Sequence, residues 1–207
     1  MGWDGKDIEK TFNYEYFDRF RFEDESNRSI WLNREIDDDS IDEIVYSIMR
    51  YNRIDAENRV DIEDRKPIKL YINTPGGMVS SGYSIVDAIM MSKTPVYTIN
   101  VGTCYSMGFL VYIAGDIRFA MPHSTFLMHD GSTFSYDSLN KVKDRLDFEA
   151  EEIGEHTKNL ILSKTNISEE LYNEKLRIEW YLYASTAKEY GIVDYIIGEE
   201  YDIDYIL

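Results

Sequence analysis

Two short β-prone runs, each closed by a glycine turn and each followed by residues of helical period, constrain this chain more than any other feature. The first, Ile68 to Ile72, stops at Pro75-Gly76-Gly77 and gives way to a helix over roughly 79 to 92. The second, Pro95 to Val101, turns at Gly102 and leads into a helix from about 106, with short strands near 117 to 120 and 124 to 128 beyond it. Strand and helix alternating in this way predict an α/β fold built on a parallel sheet. Upstream, Ser29 to Leu32 reads as a strand, and Ile41, Ile44, Val45, Ile48 and Met49 recur at helical spacing. The charged stretch 52 to 66 reads as a solvated connector.

Towards the C-terminus, residues 136 to 162 hold no proline and only Gly154. Leu139, Val142, Leu146, Ala150, Ile153 and Leu160 lie near one face, which predicts a long helix. Ser185 reads as an N-cap and Gly191 as the stop of a short helix that precedes a last strand of Ile192, Val193, Tyr195, Ile196 and Ile197. Residues 1 to 28 keep no period and are expected to be an N-terminal arm, with residues 29 to 207 as a single domain.

Charge removes several classes of partner. Thirty-nine acidic against 22 basic side chains leave a net charge of −17, which repels phosphate backbones and anionic bilayers, so neither nucleic acid nor membrane is expected as a partner. The apolar stretch Met107 to Ala114 is far short of the roughly 18 residues that suggest a membrane span. A single cysteine, Cys104, and a start without a basic, apolar leader fit a reducing cytoplasm.

Ser106 follows an apolar strand and opens a helix, where unpaired N–H groups favour developing negative charge. That placement suits a nucleophile, but on spacing alone an N-capping serine is the commoner reading. The G-x-S-x-G elbow is absent, since residue 104 is cysteine. His129 ends the apolar run Thr125 to Met128, at a strand end where functional groups gather, and reads equally as a partly buried polar residue at a loop start, whereas His123 and His156 read as structural or solvated. Gly76 and Gly77 allow close backbone approach and could offer N–H donors to an oxyanion, or simply form a turn. Met107, Phe109 and Leu110 to Ile113 read as core helix and Cys104 as buried packing. No metal-ligand spacing or phosphate-cradling glycine loop is present, so no cofactor is expected.

Taken together, YINTPGG (71 to 77), the S-x-G at 106 to 108 within VGTCYSMGF, IAGDIRFAMPHSTFLMH (113 to 129) and AKEYGIVDYII (187 to 197) resemble the ClpP family of Clp protease proteolytic subunits, over about residues 29 to 198. The resemblance implies a ClpP/crotonase-like spiral of ββα units with 136 to 162 as a protruding handle helix. It implies Ser106 as nucleophile, His129 as base, and the N–H groups of Gly77 and Met107 as oxyanion hole. Where the family has the third triad member, an aspartate, this chain has Glu179 within RIEWYLYAS. It further implies self-association into heptameric rings stacked in pairs, polypeptide substrates, and a AAA+ unfoldase as partner. The chain departs from the family in reading Asp-Gly-Ser-Thr-Phe after His129, in a shorter loop between Gly115 and Phe119, and in an N-terminal arm unlike an axial gate. Rival expectations are a ClpP-like subunit with little activity, a viral capsid-maturation protease of the same fold, and an acyl-CoA enzyme of the crotonase type.

Overall fold

A computed structural model describes residues 24–131 and 138–206. Strand β1 (Ser29–Leu32) leads to helix α1, whose segments Asp38–Ser40, Ile41–Val45 and Tyr46–Glu57 run on continuously, the middle one with π-helical winding. Strand β2 (Ile68–Thr74), helix α2 (Val79–Met91), strand β3 (Val96–Tyr105) and helix α3 (Met107–Ile113) follow. Next come β4 (Ile117–Ala120), β5 (Thr125–Met128) and the long helix α4, made of Leu139–Phe148, a π-helical Glu149–Ile153 and Gly154–Lys164. Helix α5 (Glu169–Lys175), β6 (Trp180–Tyr183), α6 (Ala184–Glu189), β7 (Tyr195–Ile196) and a 3-10 turn (Ile203–Tyr205) complete the order.

The sheet runs β1-β2-β3-β4-β7, all parallel, and divides at β3. Tyr97 to Asn100 of β3 pair with Ile117 to Ala120 of β4, whereas Thr103 to Tyr105 pair with Thr125 to Leu127 of β5. Asn100 sits at the fork. Its amide donates to the Thr125 carbonyl at 3.0 Å and its Oδ1 accepts from the Gly102 N–H at 3.0 Å, so polar groups that lose their ladder partners there are satisfied. On the other side, the β2 register slips between Ile72 and Thr74, and Asn73 Oδ1 takes the Thr103 N–H at 3.1 Å. Among the described residues, strand β6 adds the one antiparallel pairing, to β5.

Helices α1, α2 and α3 enclose the main core with β1 to β3. Every residue of α3 is buried, and Tyr112 in its last turn is fully enclosed, its hydroxyl donating to the Phe119 carbonyl at 3.1 Å. Cys104 is fully buried, and burial pushes its thiol well up, which makes it packing and not a reactive group. A second cluster of Tyr71, Ile99, Phe119 and Ile197 is covered by the segment after β7: Ile206 is buried against it and accepts a hydrogen bond from the Tyr71 hydroxyl. The first part of α4 stands away from the core, with Leu146 and Phe148 exposed, and its second part is fixed to α2 by Tyr83 and Thr157 at 2.6 Å.

Several sequence expectations change. Residues 52 to 57 are helix and not connector, because Asp55 turns inward: Arg28 grips it through both terminal nitrogens at 2.5 and 2.8 Å, and Thr94 donates to it at 2.8 Å. Gly102 does not end a strand, since β3 runs on to Tyr105 across the fork. Ser185 is not an N-cap, because α6 already begins at Ala184 with Tyr183 in the cap position. Gly191, at φ 65°, does lie just past the end of that helix, as expected. The last strand shrinks to Tyr195–Ile196. The expectation for residues 1 to 23 and the start of α4 at 136 lie outside the described residues.

The Asp55 carboxylate is only 2% exposed. The Arg28 hydrogen bond holds its pKa below the ordinary value against the opposing effect of burial. Its contribution to stability is therefore present above the usual carboxylate value of about 4 and is lost as pH falls through the lowered one. Asp55→Ala is expected to cost about 3 kcal/mol by urea unfolding at neutral pH, because it strands Arg28. The deficit should shrink as pH drops below about 4. A deficit that is constant with pH would show the pair is not ionic in origin.

Candidate active site

Ser106 is held in a backbone conformation that L-residues avoid, φ 54° and ψ −122°. It is pinned on both sides: its N–H donates to the Leu127 carbonyl of β5 at 3.0 Å, and its carbonyl accepts from the Phe109 N–H at 2.9 Å. The hydroxyl makes no capping hydrogen bond to α3, which removes the N-capping serine reading. A turn this sharp projects the β-carbon out of the strand-to-helix junction and needs a neighbour with no side chain. Gly76 is that neighbour, since a Cβ placed on it would lie 2.7 Å from Ser106 Cβ and 2.8 Å from the Tyr105 carbonyl.

Gly76 and Gly77 adopt φ values of 102° and 148°, and Gly77 is clamped to Ile36 in an isolated parallel bridge. The Ile36 N–H donates to Gly76 at 2.7 Å and the Met78 N–H donates back to Ile36 at 2.8 Å. In such a bridge Gly77's own N–H points away from Ile36. A side chain at Gly77 would overlap the Ile36 backbone. The N–H of Met107, first residue of α3, has no carbonyl a turn earlier to bond and follows Ser106 directly in the chain.

His129 follows β5 directly. Tyr105 is opposite Leu127, so Ser106 and His129 both leave their strands at the same end of the sheet. The Nε2 atom of His129 is buried and has no hydrogen-bond partner among the described residues. A buried nitrogen without a partner is a costly arrangement in a core and an ordinary one in a site awaiting a ligand or a proton donor. His123 and His156 are exposed.

Glu179 is exposed and immediately precedes β6. The antiparallel ladder stops with Met128 opposite Trp180, and His129 and Glu179 are the residues that adjoin this last pair. Its Oε2 accepts a hydrogen bond from the Tyr181 hydroxyl at 2.9 Å. Sequence reasoning did not single out Tyr181. The signal was the i, i+2 spacing, which puts both residues on one face of a strand.

The sequence and this architecture can be set against known proteins. The family model for Clp protease matches residues 18–200. The chain belongs to the Clp protease family. Its mixed α/β architecture with a mostly parallel sheet is the Clp protease fold. Among curated relatives, it is 32% identical over 182 residues to the ATP-dependent Clp protease proteolytic subunit 2 of Treponema pallidum (strain Nichols), covering 85% of each chain. It is 34% identical over 179 residues to the ATP-dependent Clp protease proteolytic subunit 3 of Synechococcus sp. (strain CC9605), covering 83% of this chain and 82% of the relative.

Other features of the molecule lie apart from this junction. Among the described residues, no group of three or more His, Cys, Asp or Glu side chains is placed to hold a metal ion, and no helix is long and apolar enough to cross a membrane. An open cavity of about 580 Å³ is lined by Gly115, Arg118, Lys164, Lys188, Asp194 and Tyr195, among others, but by none of Ser106, His129, Glu179, Gly77 or Met107. Its cations are engaged: Arg118 bonds Asp194 at 2.7 and 3.0 Å, Lys188 bonds Glu200 at 2.6 Å, and Lys164 donates to the Ala114 carbonyl at 3.1 Å. It reads as a stitched seam between β4, α4 and α6.

If Ser106 carries backbone strain, glycine at that position should relieve it. Ser106→Gly is expected to be about 1 kcal/mol more stable than Ser106→Ala, because alanine keeps the β-carbon in the disfavoured region. Equal urea midpoints for the two variants would show that the turn is unstrained.

Proposed function

We propose that this chain is a serine endopeptidase that cuts polypeptides through an acyl-enzyme. The observation that carries the reading is the strained, uncapped Ser106 packed against Gly76, at the sheet end where His129 leaves β5 with its Nε2 buried and without a partner among the described residues. In this reading, His129 Nε2 takes the Ser106 proton as the hydroxyl oxygen attacks the scissile carbonyl. The N–H groups of Gly77 and Met107 receive the oxyanion, and the imidazolium returns its proton to the leaving amine. Water then repeats the sequence on the ester. Glu179 accepts the second imidazole N–H and stabilises the imidazolium.

Family membership supports peptidase chemistry, and the curated relatives are named as proteolytic subunits of ATP-dependent proteases. By extension, residues 29 to 207 form the peptidase domain behind an arm of residues 1 to 28. The chain assembles into heptameric rings stacked in pairs, and α4 is the handle that joins them. A AAA+ unfoldase delivers unfolded chains to a cytoplasmic chamber. The exposed Leu146 and Phe148 on a helix standing away from the core are consistent with a handle that is covered on assembly. A charge of −17 argues against nucleic acid or bilayer as the partner.

A second reading, a ClpP-like subunit with little activity, is favoured by one observation: the Glu179 carboxylate is bonded to Tyr181 and lies exposed.

A fluorophosphonate probe with intact-mass readout separates the two. The wild-type oligomer is expected to gain one probe per chain, Ser106→Ala none, and Glu179→Ala to label at least tenfold more slowly, in the range of losses reported for removing a triad acid. An assembled wild-type oligomer that takes up no probe would establish the inactive reading.

A further inference from the structure

We propose that Tyr181 is a positioning residue for Glu179, holding this longer acid where it can serve His129. The inference rests on the Ser106–His129–Glu179 reading and deepens it. A glutamate has one more freely rotating bond than an aspartate, so fixing its carboxylate beside an imidazole loses more rotamer entropy. A second hydrogen bond to the same carboxylate reduces that loss, and Tyr181 supplies one at 2.9 Å to Oε2. The other oxygen remains available to an imidazole N–H.

Tyr181 is itself anchored to both strands that carry the chemistry. Its ring meets Tyr105 edge-on, with centroids 5.7 Å apart and planes at 83°. Tyr105 immediately precedes Ser106, and its hydroxyl is hydrogen-bonded to Thr125 Oγ1 at 2.8 Å. Thr125 opens β5, the strand that ends at His129. A chain of contacts therefore runs from Glu179 through Tyr181 and Tyr105 to the strands bearing nucleophile and base. The hydrogen bond to Glu179 is also the main cause that raises the Tyr181 phenol above its ordinary pKa, which keeps it a proton donor through the neutral range. His129 Nε2 is buried without a partner among the described residues, as suits the nitrogen that takes a serine proton, so in this reading Nδ1 is the one that would face the acid. Tyr181 is 54% exposed, so its role is not that of a core side chain.

The test is the pH profile of kcat and kcat/KM on a fluorogenic peptide for wild type, Tyr181→Phe, Glu179→Asp and the double variant, each as the assembled oligomer. Tyr181→Phe is expected to lower kcat roughly tenfold with little change in KM. It should also move the acid limb of kcat/KM to lower pH, because a less well-held carboxylate stabilises imidazolium less. In the Glu179→Asp background, whose acid is one methylene shorter and is expected to lose the phenol contact, the same Tyr181→Phe change is expected to alter kcat less than about twofold. An equal loss in both backgrounds would make Tyr181 merely structural and overturn the proposal. So would a faster Tyr181→Phe enzyme, which would mean that the phenol parks the acid away from His129. A wild-type oligomer that neither hydrolyses peptide nor takes up fluorophosphonate removes the peptidase reading itself, an outcome distinct from failure of the Tyr181 role alone.

Discussion

Strand β3 is hydrogen-bonded along one edge to two different neighbours in succession, β4 over Tyr97 to Asn100 and β5 over Thr103 to Tyr105. A single strand that serves two partners must release one before taking the next, and the interval leaves backbone groups without a ladder. Asn100 fills that interval with its side-chain amide, and Asn73 does the same on the opposite, β2-facing edge. The division sends β5 away from β4 and creates the open end of the sheet where β3 gives way to α3. Ser106 and His129 emerge there side by side because they terminate adjacent parallel strands. The slip in β2 register between Ile72 and Thr74 belongs to the same event, since it carries Pro75-Gly76-Gly77 across to Ser106.

Around this fork the molecule is stitched by charge pairs that are partly or wholly withdrawn from water. Arg28 and Asp55 join the start of β1 to α1, and Arg118 and Asp194 join β4 to the turn before β7. In both, a guanidinium meets a carboxylate through two nitrogens, the geometry that best offsets the cost of desolvation. The same arginines also reach backbone carbonyls, at Lys66 and Lys164. The ion pairs therefore bind chain segments as well as side chains. They hold the frame, whereas the groups at the fork hold the site.

Much of this was legible in the residues, for reasons that differ from element to element. The cores of β2, β3 and α2 could be read because their apolar residues keep a clean period. Ser106 and His129 could be read because each closes an apolar run. Residues 52 to 57 deceived because the helix shows charge to solvent on most sides, while its inward acid, Asp55, is neutralised by an arginine just before β1, far away in sequence. Gly102 deceived because a glycine inside a strand imitates a turn; here an added Cβ would press on the Asn73 amide. Strand β6 and helix α5 were not identified from pattern at all. Both are short, and β6 is an edge whose Tyr181 and Tyr183 face outward, so aromatic residues there carry no burial signal. Glu179 was reached through resemblance alone, and its tie to Tyr181 depends on side-chain geometry that no pattern encodes.

The backbone of Ser106 carries an evolutionary implication. A positive φ is close to free for glycine and costly for a residue with a β-carbon. Gly76 already yields its own side chain so that this turn can form. In a lineage with no use for the hydroxyl, drift would favour glycine at 106, because that replacement gains stability and needs no compensating change. Serine here therefore stands against the backbone's own preference for glycine.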